Sequence, residues 1–462
     1  MGTLFDAPRT PLVDDICVTV HDSCLVFSPV DTPRRTLFLS NIDKVLNFDV
    51  QTLHFFPANP AFPPEVAAQS IKSALANLLF PYDFLSGRIT FNPEVGRMEI
   101  DCNSAGAGFV VASCQHDLDD IGDLVYPNPA FESLLTRSMP MLEAGDHPLC
   151  IIQVTSFRCG GFAMGVQTNH ATFDGSSFKG FLENLAALAG DQPLKFEPCN
   201  DRHLLAARSP PRVDFPHPEL MKLDIPPGPQ SSHPPVLQNL EEDGLDFKIF
   251  RLGPDDIANL KKRAKADTSA YPHAKVTGFN VVTAHIWRCK ALSVTDTADD
   301  RLSTILYAID IRPKLNPPLP KSYAGNAVLT AYATTSCKEL EEGPLSKVVG
   351  LLSEGASRMT DEYARSAIDW GELHRGFPNG EFLVSSWWRL GFADVEYPWG
   401  KPRYSCPLVY RSKEIILLFP DMIDERDAGK AAAAAADSVN ILVALPPKEM
   451  EKFECFFHKL LA

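Results

Sequence analysis

Asn169-His170-Ala171-Thr172-Phe173-Asp174-Gly175 is the stretch from which the rest of the chain can be read. Gly161 to Val166 precedes it, an apolar run that predicts a buried strand. Phe178 to Ala186 follows, with apolar residues at helical spacing. A histidine, an aspartate four positions on and a glycine therefore sit where a strand ends. An imidazole there can be held rigidly, partly desolvated and neutral at working pH, as a general base requires. A lone histidine at a strand end is more often a hydrogen-bonded structural residue, so the reading depends on other segments.

Outward from that point, Val50 to Phe56 and Gly87 to Phe91 predict strands, and Pro64 to Leu79 an amphipathic helix with proline in its first turn. Prolines at 210, 211, 216, 218, 226, 227, 229, 234 and 235 mark an extended crossover. Beyond it, Asp246 to Leu252 predicts a strand. Pro254 to Lys265 predicts a helix whose acidic start and basic end complement its dipole. Glu414 to Phe419 and Val439 to Leu445 predict late strands, and Lys448 begins a terminal helix. Asp424 to Lys430 and the alanines 431–436 read as a hairpin insertion.

The chain has 462 residues, 45% hydrophobic and 22% charged, enough for two or three domains with large cores. A net charge of -15 argues against nucleic-acid partners and against adhesion to anionic membranes. Eleven scattered cysteines without a CxxC pair argue against a zinc ribbon or a disulfide framework and suit reduced thiols. The N-terminus lacks a basic start and apolar run, and Asp6 stands where a myristoylation signal wants Ser or Thr. No apolar run approaches membrane-spanning length. The expectation is a cytoplasmic protein, monomeric, without stable membrane insertion.

Two further segments bear on His170. One is Asp310-Ile311-Arg312-Pro313, leading through a proline-stiffened loop to Tyr323-Ala324-Gly325-Asn326. The other is Ser385-Ser386-Trp387-Trp388-Arg389, followed by Glu396-Tyr397-Pro398-Trp399-Gly400. Read alone, the first is a turn with an exposed arginine and the second is core packing. Together and in this order they resemble the plant BAHD family of CoA-dependent acyltransferases. HxxxD is intact at His170 and Asp174, and Leu39-Ser40-Asn41-Ile42-Asp43, Leu204 to Glu219, Ala284 to Cys289 and Leu445 to Met450 also resemble family segments. The family's DFGWG is altered to Glu396-Tyr397-Pro398-Trp399-Gly400: one side chain gains a methylene, and proline fixes φ and removes a donor.

The resemblance implies an α/β fold of two chloramphenicol-acetyltransferase-like domains. Each is a mixed β-sheet flanked by helices, with a channel between them. The expected division is 1–195, a crossover at 196–240 and 241–462, with a segment near 387–401 crossing between domains. It implies an acyl-CoA co-substrate and a hydroxyl acceptor such as a long-chain alcohol, hydroxy fatty acid or steroid hormone of the brassinosteroid kind. N-acylation of a polyamine is the lesser variant. His170 would take the acceptor's proton in direct transfer, without an acyl-enzyme. Ser385, Ser386 and the Trp399 indole are candidate oxyanion donors. Asp174 invites a triad reading, but the resemblance pairs it with Arg312 and places Asn326 near the histidine loop. Glu396 and Gly400 would shape the domain contact and CoA site. Lys261, Lys262, Arg263 and Lys265 would meet CoA phosphates or form a solvated helix end. No metal or permanently bound cofactor is implied. The rival, motivated by the altered motif, is a silent family member that modulates a lipid-elongating enzyme.

Overall fold

The computed structural model describes residues 3–5, 13–126, 128–143, 145–223, 244–266, 271–294, 301–408, 413–422 and 437–461. The insertion predicted over 424–436, and prolines 226 to 235 of the crossover, lie outside them.

The first half is built on a six-stranded sheet. In chain order its strands are β2 (Val18–Val26), β4 (Asp49–Phe56), β7 (Ala107–Cys114), β8 (Cys150–Ser156), β9 (Phe162–Asn169) and β16 (Tyr404–Pro407). Their spatial order is β16-β4-β9-β8-β7-β2, with only β7 and β8 parallel. Every residue of β9 is buried, as its unbroken apolar run predicts for a central strand. Helices α2 (Pro64–Leu78) and α3 (Gly175–Ala189) cover one face through a core that includes Leu75, Phe109, Met164 and Phe181. Strands β3 (Arg35–Phe38), β5 (Arg88–Asn92) and β6 (Arg97–Cys102) form a small separate sheet, and α1 (Asn41–Lys44) follows β3.

The second half is a seven-stranded sheet in the order β1-β11-β18-β17-β15-β12-β13. These are Thr3–Phe5 (β1), Asp246–Leu252 (β11), Leu302–Asp310 (β12), Val328–Ser336 (β13), Phe382–Ser386 (β15), Ile415–Pro420 (β17) and Val439–Leu445 (β18). Helices α4 (Pro254–Ala264), α5 (Gly278–Ser293), α7 (Leu345–Arg358) and the C-terminal helix Pro447–Leu461 pack through a second core around Trp287, Val384 and Phe453. Between β13 and α7 lies α6 (Cys337–Glu342); α8 (Asp361–Leu373) and β14 (Gly376–Pro378) follow α7, and β14 pairs with β10 (Leu220–Lys222) of the crossover.

The chain departs from a simple division at residue 195 in two places. Strand β1 pairs with β11 in the second half's sheet, and β16 pairs with β4 in the first half's. Residues 387–403 thus run from β15 of one sheet to β16, at 404–407, of the other. His54 Nδ1 lies 2.9 Å from Ser405 Oγ and ties that strand in place. Leu53 and Phe55 from one sheet meet Ile249, Phe419 and Leu442 from the other in a third core along the seam.

Candidate active site

His170 is the first residue past β9. Its backbone N–H donates to the Phe48 carbonyl at 2.7 Å, and the Phe48 ring lies 5.1 Å from the imidazole, centroid to centroid. Asn169 shapes the exit: its Oδ1 accepts from Ala171 N at 3.0 Å and its carbonyl accepts from Thr172 N at 2.9 Å. The ring is partly buried. Nδ1 is enclosed without a hydrogen-bond partner, whereas Nε2, also unbonded, keeps solvent contact. Burial lowers the imidazole pKa below its ordinary value; the histidine's own carbonyl, Asp174, Asn326 and Asp43 oppose the shift. Such a ring is neutral at neutral pH and has one unbonded nitrogen in contact with solvent.

Asp174 does not touch that ring. It caps α3 by accepting from Ser177 N at 2.9 Å. Its carboxylate forks with Arg312, at 2.9 Å from Nη2 to Oδ1 and 2.8 Å from Nη1 to Oδ2, and Oδ2 also accepts from Ala327 N at 2.9 Å. All this is buried. The triad alternative is thereby corrected: both carboxylate oxygens are already filled, and Asp174 acts on His170 only through its charge. Arg312, exposed in the bland reading of its turn, is buried instead. A Cβ on Gly175 would come within 2.5 Å of Leu390 Cδ1, so the glycine lets the second half close over the start of α3.

A second buried carboxylate lies beneath the loop. Asp43 Oδ2 accepts from Ser40 N at 2.9 Å and Ser40 Oγ at 2.7 Å; Oδ1 accepts from Asn326 N at 3.1 Å and Asn326 Nδ2 at 2.9 Å. Arg202 stands 2.8 Å from Asp43 Oδ1, both side chains wholly buried, and donates to the carbonyls of Ala171 (3.2 Å) and Thr172 (2.8 Å). Asn326 Nδ2 also donates to the His170 carbonyl at 2.8 Å. Sequence reading used residues 39–43 only as a resemblance and passed over Arg202 and Ser177. The capping-box spacing from Ser40 to Asp43 was a visible signal, and the structure forms that box. The burial of Arg202 left no trace in the sequence pattern.

The remaining predicted residues divide. Phe382 and Val384 of β15 face the helix layer, so by alternation Ser385 faces the seam and Ser386 does not. Leu417, opposite Ser385 in the ladder, packs on the seam core, which agrees with that assignment. Neither hydroxyl is bonded or enclosed. Trp399 is corrected as an oxyanion donor: its Nε1 is enclosed without a partner, and its ring packs with Phe56, Phe62, Phe162 and Tyr397 beneath the helices. Glu396 is exposed. Tyr397 and Gly400 exchange backbone hydrogen bonds of 3.2 and 2.9 Å, and the turn needs the positive φ of +110° at Gly400. The basic cluster ends α4, where Arg263 donates to the Leu460 and Leu461 carbonyls at 2.8 and 3.2 Å. Lys262 and Lys265 are exposed and Lys261 is partly buried. None of the hydrogen bonds from this turn reaches the histidine loop among the described residues.

Among the described residues no group of three or more His, Cys, Asp or Glu is placed to hold a metal, and no helix is long and apolar enough to cross a membrane.

A model of the Transferase family matches residues 16–460. The chain belongs to that family, the BAHD acyltransferases. It is a CoA-dependent acyltransferase with the two-sheet α/β fold. Over its whole length this BAHD chain is 53% identical to acyltransferase GLAUCE of Arabidopsis thaliana, itself covered in full. It is 32% identical to an omega-hydroxypalmitate O-feruloyl transferase of the same plant, with 95% of this chain and 93% of that one covered. Among solved structures, vinorine synthase superposes with a TM-score of 0.70 at 22% identity, covering 94% of this chain and 96% of that one.

Proposed function

We propose that this acyltransferase moves a hydroxycinnamoyl or fatty acyl group from CoA to a hydroxyl on a long aliphatic or steroid acceptor, with His170 as general base. The observation that carries the reading is the unbonded, solvent-facing Nε2 of a ring whose other side is enclosed. No serine or cysteine side chain is hydrogen-bonded to the ring, as would be expected of an activated nucleophile. Nε2 takes the acceptor's proton as its oxygen bonds to the thioester carbon. The tetrahedral oxyanion then expels the CoA thiolate, which recovers the proton from the imidazolium. Ser385 is the oxyanion donor of this scheme, being unbonded and on the seam face. Lys262 and Lys265 are the basic residues left to meet the CoA phosphates, because Arg263 is engaged. The aliphatic hydroxyl acceptor is supported by the feruloyl transferase relative. Eleven cysteines, none in a disulfide among the described residues, suit the reducing cytosol, and a monomer belongs to the same reading.

The test is CoA-thiol release and product mass with hydroxycinnamoyl- and long-chain acyl-CoAs, offered a fatty alcohol, an ω-hydroxy fatty acid and a steroid. His170→Ala is expected to lose at least about 100-fold. Ser385→Ala should lower kcat while Ser386→Ala does not. Equal activity of His170→Ala and wild type ends the base reading, and an acyl group trapped covalently on the protein ends direct transfer.

A further inference from the structure

Three successive carbonyls lead the chain from His170 toward Asp174, and each is held by a side chain from elsewhere. Asn326 Nδ2 donates to the His170 carbonyl at 2.8 Å, Arg202 Nη1 to that of Ala171 at 3.2 Å and Arg202 Nη2 to that of Thr172 at 2.8 Å. Ala171 and Thr172 are wholly buried, and among the described residues neither carbonyl accepts another hydrogen bond. A buried carbonyl left without a donor is costly, so the guanidinium decides where these two peptides lie. Arg202 itself stands outside the loop, in the helical turn Arg202–Leu205 of the crossover, and its place is fixed twice. Nη1 lies 2.8 Å from Asp43 Oδ1, with neither side chain exposed. A Cβ on Gly325 would come within 2.7 Å of Nε and 2.8 Å of Cζ, so the guanidinium lies directly over that glycine.

The other hydrogen bonds of Ala171 and Thr172 run to Asn169 and are internal to the loop. Arg202 is therefore what ties these two residues to the rest of the molecule. One planar fork reaches both carbonyls and a carboxylate; an ammonium carries the same charge but lacks that geometry. We propose that Arg202 is a positioning residue for acyl transfer: it seats the peptides of Ala171 and Thr172 and so aims the His170 ring at its substrates. The assignment rests on His170 being the base. Arg202→Lys keeps a cation beside Asp43 and gives up the fork, and a shift of about 1 Å in a catalytic group can cost about 100-fold in rate.

The test compares Arg202→Lys with wild type and with Arg208→Lys. Arg208 lies in the same crossover and also meets a buried carboxylate, its Nε 2.6 Å from Asp369 Oδ2, but its other acceptors are the Arg212 carbonyl and Asp214, not the histidine loop. Hydrogen exchange of the full-length protein, read by mass spectrometry on peptides spanning 169–174, reports the loop itself. Exchange there should be at least about 10-fold faster in Arg202→Lys and unchanged in Arg208→Lys. In Arg202→Lys kcat should fall at least about 10-fold with KM for acyl-CoA within about threefold, the signature of a group acting on the chemical step. Arg208→Lys should keep the wild-type kcat. A cooperative melt establishes folding, and rates are taken well below each transition. If Arg202→Lys does not fold, Gly325→Ala decides on the same readouts, because its Cβ displaces the guanidinium while both charges stay. Wild-type exchange or wild-type kcat in the folded variant overturns the proposal, as does a loss confined to KM or an equal loss in Arg208→Lys. A His170→Ala enzyme with full activity would instead overturn the base reading, while exchange still judges the hold on the loop.

Discussion

Replacing Asp174 by asparagine separates a clamp from a triad. The carboxylate fills four bonds of 2.8–2.9 Å: two to Arg312, one to Ser177 N and one to Ala327 N. An amide of the same shape must aim its NH2 at one pair of these donors, and Arg312, buried at 7% exposure, keeps only the part-exposed Asp310, 3.2 Å from its Nη1, as counter-charge. Breaking a buried pair on one side costs about 3–5 kcal/mol. At about 2 °C per kcal/mol for a long chain, the melting temperature should fall by roughly 6–10 °C. Arg312→Gln should fall by a similar amount. The double variant should cost clearly less than the sum, with a coupling energy of about 2–3 kcal/mol in the cycle. The assay is thermal melting of the four proteins with acyl transfer measured well below each transition. There Asp174→Asn should keep more activity than His170→Ala, because no bond joins the carboxylate to the ring. An unchanged melting temperature with activity as low as that of His170→Ala would refute the clamp and restore the triad.

Two pH effects follow from buried imidazoles. Burial holds the His170 pKa below its usual value, so the imidazole is already deprotonated at neutral pH, and under the proposed mechanism the acid limb of kcat/KM should lie below about pH 6.5. A limb centred at or above that value contradicts the enclosure described here. His54 and His285 are each pushed down to about 3 by burial, with nearby Arg288 adding to the effect at His285. Below the unfolded value the unfolded chain binds protons that the native one refuses. Their stabilisation is therefore complete above about pH 6.5 and is lost as pH falls toward 3. Near one pH unit below 6.5 the two together remove about 3 kcal/mol. Urea midpoints on either side of that pH should show the loss, and His285→Gln should halve the pH dependence; a flat profile would contradict the burial of both rings.

The elements legible in the sequence are those whose pattern is local. Pro64 to Leu78 shows proline at its start and a clear apolar stripe, and β11 and β18 match their expected bounds residue for residue. His170 was legible because its strand exit and the following helix are both strongly patterned. What is long-range was not. Thr3–Phe5 carries nothing that says it will pair with residues 249–251. Arg202 sits in a polar-looking turn, yet its guanidinium is enclosed by Asp43 and two loop carbonyls. Trp399 went wrong for the complementary reason. An indole N–H in a family motif suggests a donor, whereas the chain spends this ring on an aromatic cluster around Phe56 and Phe162.

The altered Glu396-Tyr397-Pro398-Trp399-Gly400 segment bears on whether the site can work. Glu396 is solvated, Pro398 lies where a Cβ on Gly190 would come within 3.2 Å of it, and the turn keeps its backbone pair through Gly400. Its hydrogen bonds stop short of the histidine loop; the Trp399 carbonyl, for one, accepts from Asn59 Nδ2 at 3.1 Å. The departure thus sits in a shell that shapes the fold. The loop's own supports are Asp43 and Asp174 from the first half and Arg312 and Asn326 from the second, all bonded across the seam. Each buried charge there has a counter-charge, so the histidine ring is left as the group with an unbonded nitrogen facing solvent. Burial draws its pKa down while the two carboxylates draw it up. Moving either carboxylate would disturb that balance, whereas changing Glu396 leaves it intact, and this is why the altered motif does not by itself argue for a silent protein.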